Sequence, residues 1–347
     1  MYSSLNNKSN NKSLFYWFLI LTLMTFLMIL IGGLTRLTDS GLSMVDWRPI
    51  MGFLPPINHE DWLKVFDQYK KTPEYLIVNK FMNLQDFKYI FWWEWIHRFF
   101  ARCLGIVFII PLIIFTIQKK ISKKLFYSLL LLFIFGFLQA LVGWWMVKSG
   151  LESDPYVSSY RLAFHLTNAV IILSILFWLT LTSSSSLSND LYFMPKQKLE
   201  YLICTLIFLV ILTIISGAFM AGSHAGQSFN TYPLMNGSFI PNDFYIKEYG
   251  IKNLFENTIM INFNHRWLAT FTFFLIIFVI IYLFFNVKYK KFKLELSLIF
   301  FVSSLQFFLG ILTLLTNVKL VLASLHQVNS MLLLATLLLL YYRIKKT

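Results

Sequence analysis

Four histidines carry the chemistry open to this sequence. His97, His165, His265 and His326 each stand near the start of a long apolar run. An ionisable side chain inside such a run is costly in a membrane and reads as functional by default. The four fall into two matched sets. Ile96-His97-Arg98 corresponds to Asn264-His265-Arg266, and the stretch from His165 to Asn168 corresponds to that from His326 to Asn329. Two imidazoles from facing helices at similar depth suit the two axial positions of a haem iron. Zinc or copper suits them less, because neither cysteine nor carboxylate joins the histidines within the apolar runs. For a single histidine an interhelical hydrogen bond is the competing reading, and the repetition is what favours a metal or haem.

The charges beside the histidines differ between the sets. Arg98 and Arg266 each follow the first histidine, where a guanidinium can pair with carboxylates such as haem propionates or snorkel to the interface. Arg102 lies one turn beyond Arg98 and strengthens the case for an anionic partner there. Glu94 precedes His97 by three residues in WWEWIHR and shares its helix face, whereas the second set has Asn262 at that position. An acid in one set only suggests a reacting centre in the first half and an electron-transfer haem in the second, with a Glu94–Arg98 ion pair as the competing role. His59 and His224 fall between apolar runs and read as solvated. Cys103 and Cys204 lie near opposite ends of their runs, too far apart to bridge.

The elements that must position these residues are membrane spans. Of 347 residues 57% are hydrophobic and only 13% charged, against about 25% charged in soluble chains, which excludes soluble, disordered and collagen-like classes. About 20 apolar residues cross a bilayer, and eight segments qualify: Phe15–Leu34, Phe99–Ile117, Leu125–Val147, Leu162–Thr182, Tyr201–Ala221, Trp267–Phe285, Leu296–Leu315 and Leu320–Tyr342. The first is too long for the apolar region of a cleaved signal peptide. The net charge of +14 is gathered in short loops, as in KKISKK (119–124), KYKKFK (288–293) and the terminal RIKK. That is a topology signal and not a nucleic-acid footprint: by the positive-inside rule both termini are cytoplasmic. The long loops 35–96 and 222–264 then lie outside, and all four histidines sit in the outer part of the membrane, within roughly 10 Å of one depth at 1.5 Å per residue. The N-terminal MYSSLNNKSNNKS lacks arginine and does not read as a transit peptide, so a bacterial cytoplasmic membrane is expected over the mitochondrial inner membrane.

The histidine sets belong to a longer repeat. FLQALVGWW (137–145) matches SLQFFLGIL (304–312), aligning Gln139 with Gln306 and Gly143 with Gly310. Four spans per half make the repeat parallel, unlike the inverted repeats of many transporters. The expected fold is all-α and polytopic: eight transmembrane helices in two tandem, parallel-repeat four-helix bundles. Residues 1–182 would hold the reacting site and residues 183–347 the second haem, each in a bundle interior.

At these motifs the chain closely resembles the heme A synthase family. The likeness runs from IGGLTRLTDSGLS through DFKYIFWWEWIHR, FLQALVGWWMVKSGL, AGSHAGQSFNTYPLMNG and NLFENTIMINFNHRWLA to the final LHQVNS. It implies an oxidoreductase that converts the C8 methyl of haem O to a formyl group through a hydroxymethyl intermediate, with water implicated as the oxygen source. It also implies haem b held by His265 and His326, substrate haem O flanked by His97 and His165, and Glu94 as the essential acid, with Arg98 and Arg266 beside the two haems. Partners implied are membrane lipid, a haem O synthase (protohaem farnesyltransferase), oxidase assembly factors and further copies of the chain. Some members carry a cysteine pair in an outer loop that is absent here, and Asp86 stands where many have glutamate. A di-haem b-type electron-transfer cytochrome is the alternative, one that leaves Glu94 without a task. A metal or solute carrier fits the parallel repeat poorly.

The lysine distribution can be checked directly. A reporter that is active only after export, fused after Lys346, should stay silent, and activity there would overturn the orientation.

Overall fold

The computed structural model describes residues 2–46, 53–152, 155–184 and 196–346. Eleven α-helices are present among them: α1 (Tyr2–Leu37), α2 (His59–Tyr69), α3 (Pro73–Ile77), α4 (Leu84–Ile117), α5 (Lys123–Gly150), α6 (Ser159–Ser183), α7 (Lys196–Gly222), α8 (Asn253–Glu256), α9 (Thr258–Phe285), α10 (Lys293–Leu315) and α11 (Leu320–Lys346). Eight of these, α1, α4–α7 and α9–α11, are long and apolar enough to cross a membrane, as the sequence predicts. Among the described residues the only β-type pairing is an isolated bridge between Met235 and Ser238.

Helix starts follow local chemistry more closely than hydropathy does. α4 begins at Leu84, well before the apolar run at Phe99, because Asn83 and Asp86 form a capping box. The Asn83 side chain accepts from the backbone N–H of Gln85 and Asp86, and Asp86 accepts from that of Asn83. Such a box satisfies helix-end donors that would otherwise lack partners. Asn58 caps α2, Thr72 caps α3 and Asn257 caps α9 in the same way. The stretch 35–96 is therefore not simply a loop, since it contains α2, α3 and the first turns of α4.

Two compact units divide the chain: Leu23–Ile172, and Met1–Thr22 together with Leu173–Thr347. In the second unit α7 and α10 each pack against both α9 and α11, closing a four-helix ring with α9 and α11 on one diagonal. The Thr22 and Thr180 hydroxyls meet at 3.0 Å in this unit, and Trp178 packs on Tyr341 and Tyr342. In the first unit α4 carries a cap. Trp62, Phe66 and Tyr69 of α2 bury against Phe87, Ile90 and Phe91 of α4, each aromatic contributing on the order of 1.5–3 kcal/mol of apolar burial. The cap fixes the first turns of α4, the turns that end at Glu94.

Beneath the cap lies a second buried acid. Glu74 is 5% exposed, and the hydroxyl of Tyr69 donates to its Oε2 at 2.9 Å while itself accepting from Asn79 Nδ2 at 2.8 Å. Burial pushes the Glu74 carboxyl up from 4.5 to about 8, against the pull of Tyr69's donation. The charges of Glu94 and Asp39 add to the rise and Arg36 opposes it. A group whose folded value is raised stabilises the fold fully below its unfolded value and loses that contribution as pH rises through the folded one. Protection of α2 and α3 against hydrogen exchange should therefore fall between about pH 5 and 8, by up to about 1.4 kcal/mol per pH unit. Glu74→Gln, always neutral, should flatten that dependence; an unchanged slope in the variant would assign it to another group.

Candidate functional site

Each of the four histidines lies against a glycine of a neighbouring helix. A Cβ on Gly32 of α1 would come within 3.2 Å of His97 Nε2, and one on Gly143 of α5 within 3.2 Å of His165 Cε1. The second unit repeats the contact: a Cβ on Gly217 of α7 would come within 3.1 Å of His265 Cε1, and one on Gly310 of α10 within 2.9 Å of His326 Cε1. All four imidazoles are half-buried. His97 and His165 lie in one compact unit, and His265 and His326 in the other.

A polar clasp holds each second histidine's helix to its neighbour. Asn168 Nδ2 donates to the Phe135 carbonyl at 2.9 Å and to Gln139 Oε1 at 2.6 Å. Asn329 Nδ2 donates to the Val302 carbonyl and to Gln306 Oε1, both at 3.0 Å. The clasps lie one turn from His165 and His326 and give the aligned glutamines and asparagines their purpose. A buried carboxamide in hydrocarbon must find partners, and here two such groups find each other.

The sets differ in what orients the rings. His265 Nδ1 lies 2.8 Å from Ser216 Oγ, and Gln306 Nε2 lies 3.2 Å from His326 Nδ1 and 3.5 Å from its Nε2. A metal-ligating histidine nearly always engages its other ring nitrogen in this manner. Ser216 suits a ring that offers Nε2 to iron, while the Gln306 contact straddles both nitrogens and holds the ring edge without committing its tautomer. His165 Nδ1 is buried and has no hydrogen-bond partner. Among the described residues no three of His, Cys, Asp and Glu converge as a polyhedral metal site needs. Two imidazoles facing side-chain-free glycines fit a flat macrocycle with two axial ligands.

Glu94 is 2% exposed and fully engaged. Its Oε2 accepts from Ser43 Oγ at 2.7 Å and from the Met44 N–H at 2.8 Å, and its Oε1 meets Arg98 at 2.5 Å. Arg98 also donates to the Met44 carbonyl. In the second unit Asn262 takes the equivalent place with no charge: its Nδ2 donates to the Ala225 carbonyl, and its Oδ1 accepts from Arg266 Nε at 2.6 Å. Arg266 donates further to the carbonyls of Thr231 and Phe229. Each arginine therefore ties a helix to the segment that covers it, and only in the first unit is the residue one turn before it a buried carboxylate.

The remaining sequence candidates lie apart from these contacts. The Arg102 guanidinium packs over the Phe53 ring, 5.4 Å from its centroid. His59 is exposed at the start of α2, His224 has a left-handed backbone before a short 3-10 turn, and both cysteines are free. Sequence reasoning missed Gly32, Gly217, Ser216 and Ser43. Gly32 and Gly217 had a signal, since each stands in the helix before the first histidine of its set, but only Gly143 and Gly310 were aligned.

Fold and site define an all-α polytopic membrane protein in which four histidines each lie against a helix glycine. Residues 15–338 match the family model COX15-CtaA, described as cytochrome oxidase assembly protein. The chain belongs to this family. It is similar to the heme A synthase of Nitrosomonas eutropha, 40% identical over 332 residues that cover 93% of this chain and 91% of that one. It is similar also to the heme A synthases of Rhizobium rhizogenes, at 38% over 93% and 87% of the two chains, and of Pelagibacter ubique, at 40% over 97% and 98%.

The glycine contacts generate a test that leaves the histidines themselves intact. Gly310→Val forces His326 off its place, and displaced ligand geometry typically costs 10–100-fold in affinity. Purified Gly310→Val should lose the low-spin bis-histidine haem spectrum, while Gly143→Val, in the other unit, should keep it. Full haem content in Gly310→Val at unchanged helicity would remove His326 from the ligand set.

Proposed function

We propose that this chain is an oxidoreductase that converts the C8 methyl group of haem O to a formyl group through a hydroxymethyl intermediate. The observation that carries this reading is a glycine–histidine pocket built twice, with a buried carboxylate beside only one copy. The halves 1–182 and 183–347 act as a substrate bundle and a cofactor bundle. Substrate haem O lies between His97 and His165. His265 and His326, whose rings have polar partners to hold them in place, would hold a resident haem b, which when bound supplies one-electron redox chemistry. A cytochrome with two permanent haems gives no reason for His165 to lack such a partner or for Glu94 to replace an asparagine.

Methyl to formyl is a four-electron oxidation that releases protons and builds positive charge beside the macrocycle. The protein supplies position and field. His97 and His165 would hold the substrate, and Gly32 and Gly143 leave room for their rings. Glu94, fixed by Ser43, Met44 and Arg98 one turn before His97, favours positive charge and accepts protons. Arg98 and Arg266, at the covered ends of α4 and α9, lie where propionates can reach them. The low polarity around the carboxylate strengthens its field, because no water competes there.

The same reading places the chain in a bacterial cytoplasmic membrane, with both termini in the cytoplasm and 35–96 and 222–264 outside. Haem O is supplied within the bilayer by a protohaem farnesyltransferase, and haem A passes to oxidase assembly factors.

Glu94→Gln is the deciding substitution. The amide keeps the shape and one acceptor but neither the charge nor the basicity. Conversion of haem O to haem A should fall about 10²-fold or more, with haem O or its hydroxymethyl product accumulating and the His265/His326 haem spectrum intact. Near-normal haem A extracted from cells that express Glu94→Gln would rule out the catalytic role and leave Glu94 as a structural partner of Arg98.

A further inference from the structure

The two arginine clasps carry different net charge. Arg98 and Arg266 each follow the first histidine of a set, and each donates to a carbonyl of the covering chain, Met44 in one unit and Thr231 in the other. Arg98 also meets the Glu94 carboxylate, so its charge is offset within the clasp. Arg266 has only neutral acceptors: Asn262 Oδ1 and the Thr231 carbonyl, both at 2.6 Å, and the Phe229 carbonyl. Among the described residues no carboxylate lies within ion-pair reach of it. The three acids of the covering segment, Asp243, Glu248 and Glu256, are all exposed.

Arg266 is nevertheless buried, at 6% exposure, and Asn262 beside it at 0%. Taking a guanidinium out of water is costly unless a counter-charge accompanies it. Neutral oxygens solvate the cation but leave its field intact, and an apolar surround screens that field weakly. Tethering alone does not call for a cation. Elsewhere in the same cover neutral amides tie the chain down: Asn230 donates to the carbonyls of Gly226 and Leu314, and Asn257 to those of Asp243 and Phe244. The first unit shows that an acid fits one turn before the arginine, so its replacement by Asn262 is not forced by the fold. The charge at Arg266 exceeds what the clasp needs.

We propose that the uncompensated charge of Arg266 raises the reduction potential of the haem assigned to His265 and His326, and so makes that haem an electron acceptor in the reaction. The proposal rests on the resident haem of the functional reading. Iron carries one more positive charge when oxidised than when reduced, so a fixed cation beside an axial ligand disfavours the oxidised form. Burial strengthens the effect, and it is one of the means by which a protein sets such a potential. A unit charge at about 10 Å, with an effective dielectric of about 20, shifts a one-electron equilibrium by roughly tenfold. Each reduction takes up one of the four electrons lost as methyl becomes formyl, and a one-electron acceptor of higher potential restores the oxidised haem. Arg266 is on this view a positioning residue for charge, acting through the haem and not on the substrate.

The test separates charge from shape. Midpoint potentials of the His265/His326 haem are measured by redox titration of the purified full-length wild type, Arg266→Lys and Arg266→Gln. Arg266→Gln should lower the midpoint by about 59 mV, a tenfold change for one electron. Arg266→Lys loses the planar fork but keeps the charge, and its midpoint should stay near that of the wild type. Equal shifts in both variants, or none in either, overturn the proposal, because a purely structural clasp does not respond to charge alone. The bis-histidine absorption spectrum reports whether each variant retains its haem. If Arg266→Gln loses it, Asn262→Glu is read instead, since that change gives the second unit the acid–arginine pair of the first. Its midpoint should fall by a similar amount, and an unmoved midpoint overturns the proposal. A wild-type protein with no haem at His265 and His326 defeats the functional reading itself, whereas haem present with an unmoved midpoint defeats this proposal alone.

Discussion

An imidazole lodged between membrane helices needs a neighbour with no side chain, and the rest of this structure is arranged around that need. Four glycines, one on each of α1, α5, α7 and α10, leave the space that four histidines occupy. Helix packing at such a point depends on backbones approaching closely, which in hydrocarbon is achieved by small residues and interhelical hydrogen bonds because lipid exerts no hydrophobic pressure between helices. The Gln139–Asn168 and Gln306–Asn329 clasps supply those hydrogen bonds one turn away. The covering segments set the ends of the histidine-bearing helices through Arg98 and Arg266, each of which donates to carbonyls of the chain that folds over it.

The two units differ in the contacts around their histidines. The second unit gives both of its rings polar partners, has neutral Asn262 beside Arg266, and stacks Phe273 on Phe307 between α9 and α10. The first unit leaves His165 Nδ1 unpartnered and buries Glu94 beside Arg98. On the function proposed above, the second set suits a ligand that is kept and the first a ligand that is acted on. The cost of burying the Glu94 carboxylate is met there by three donors.

The N-terminal cap adds a further layer. The aromatic packing of Trp62, Phe66 and Tyr69 on α4 places Ser43 and Met44 within reach of Glu94. Glu74, held mainly neutral by burial, lies near enough to feel the charge of Glu94.

The sequence by itself determined the eight spans, since their apolar length is a one-dimensional property. It also set out two matched histidine stretches and the one acid beside them, since these are properties of order along the chain. Hydropathy placed the start of α4 at Phe99, because it registers transfer into lipid and not the Asn83–Asp86 capping box that extends the helix beyond the apolar run. Only the tertiary structure decided what each histidine touches, because a glycine contact joins residues far apart in the chain and a missing side chain leaves no hydrophobic signal. It alone decided that Ser43 and Met44 hold Glu94.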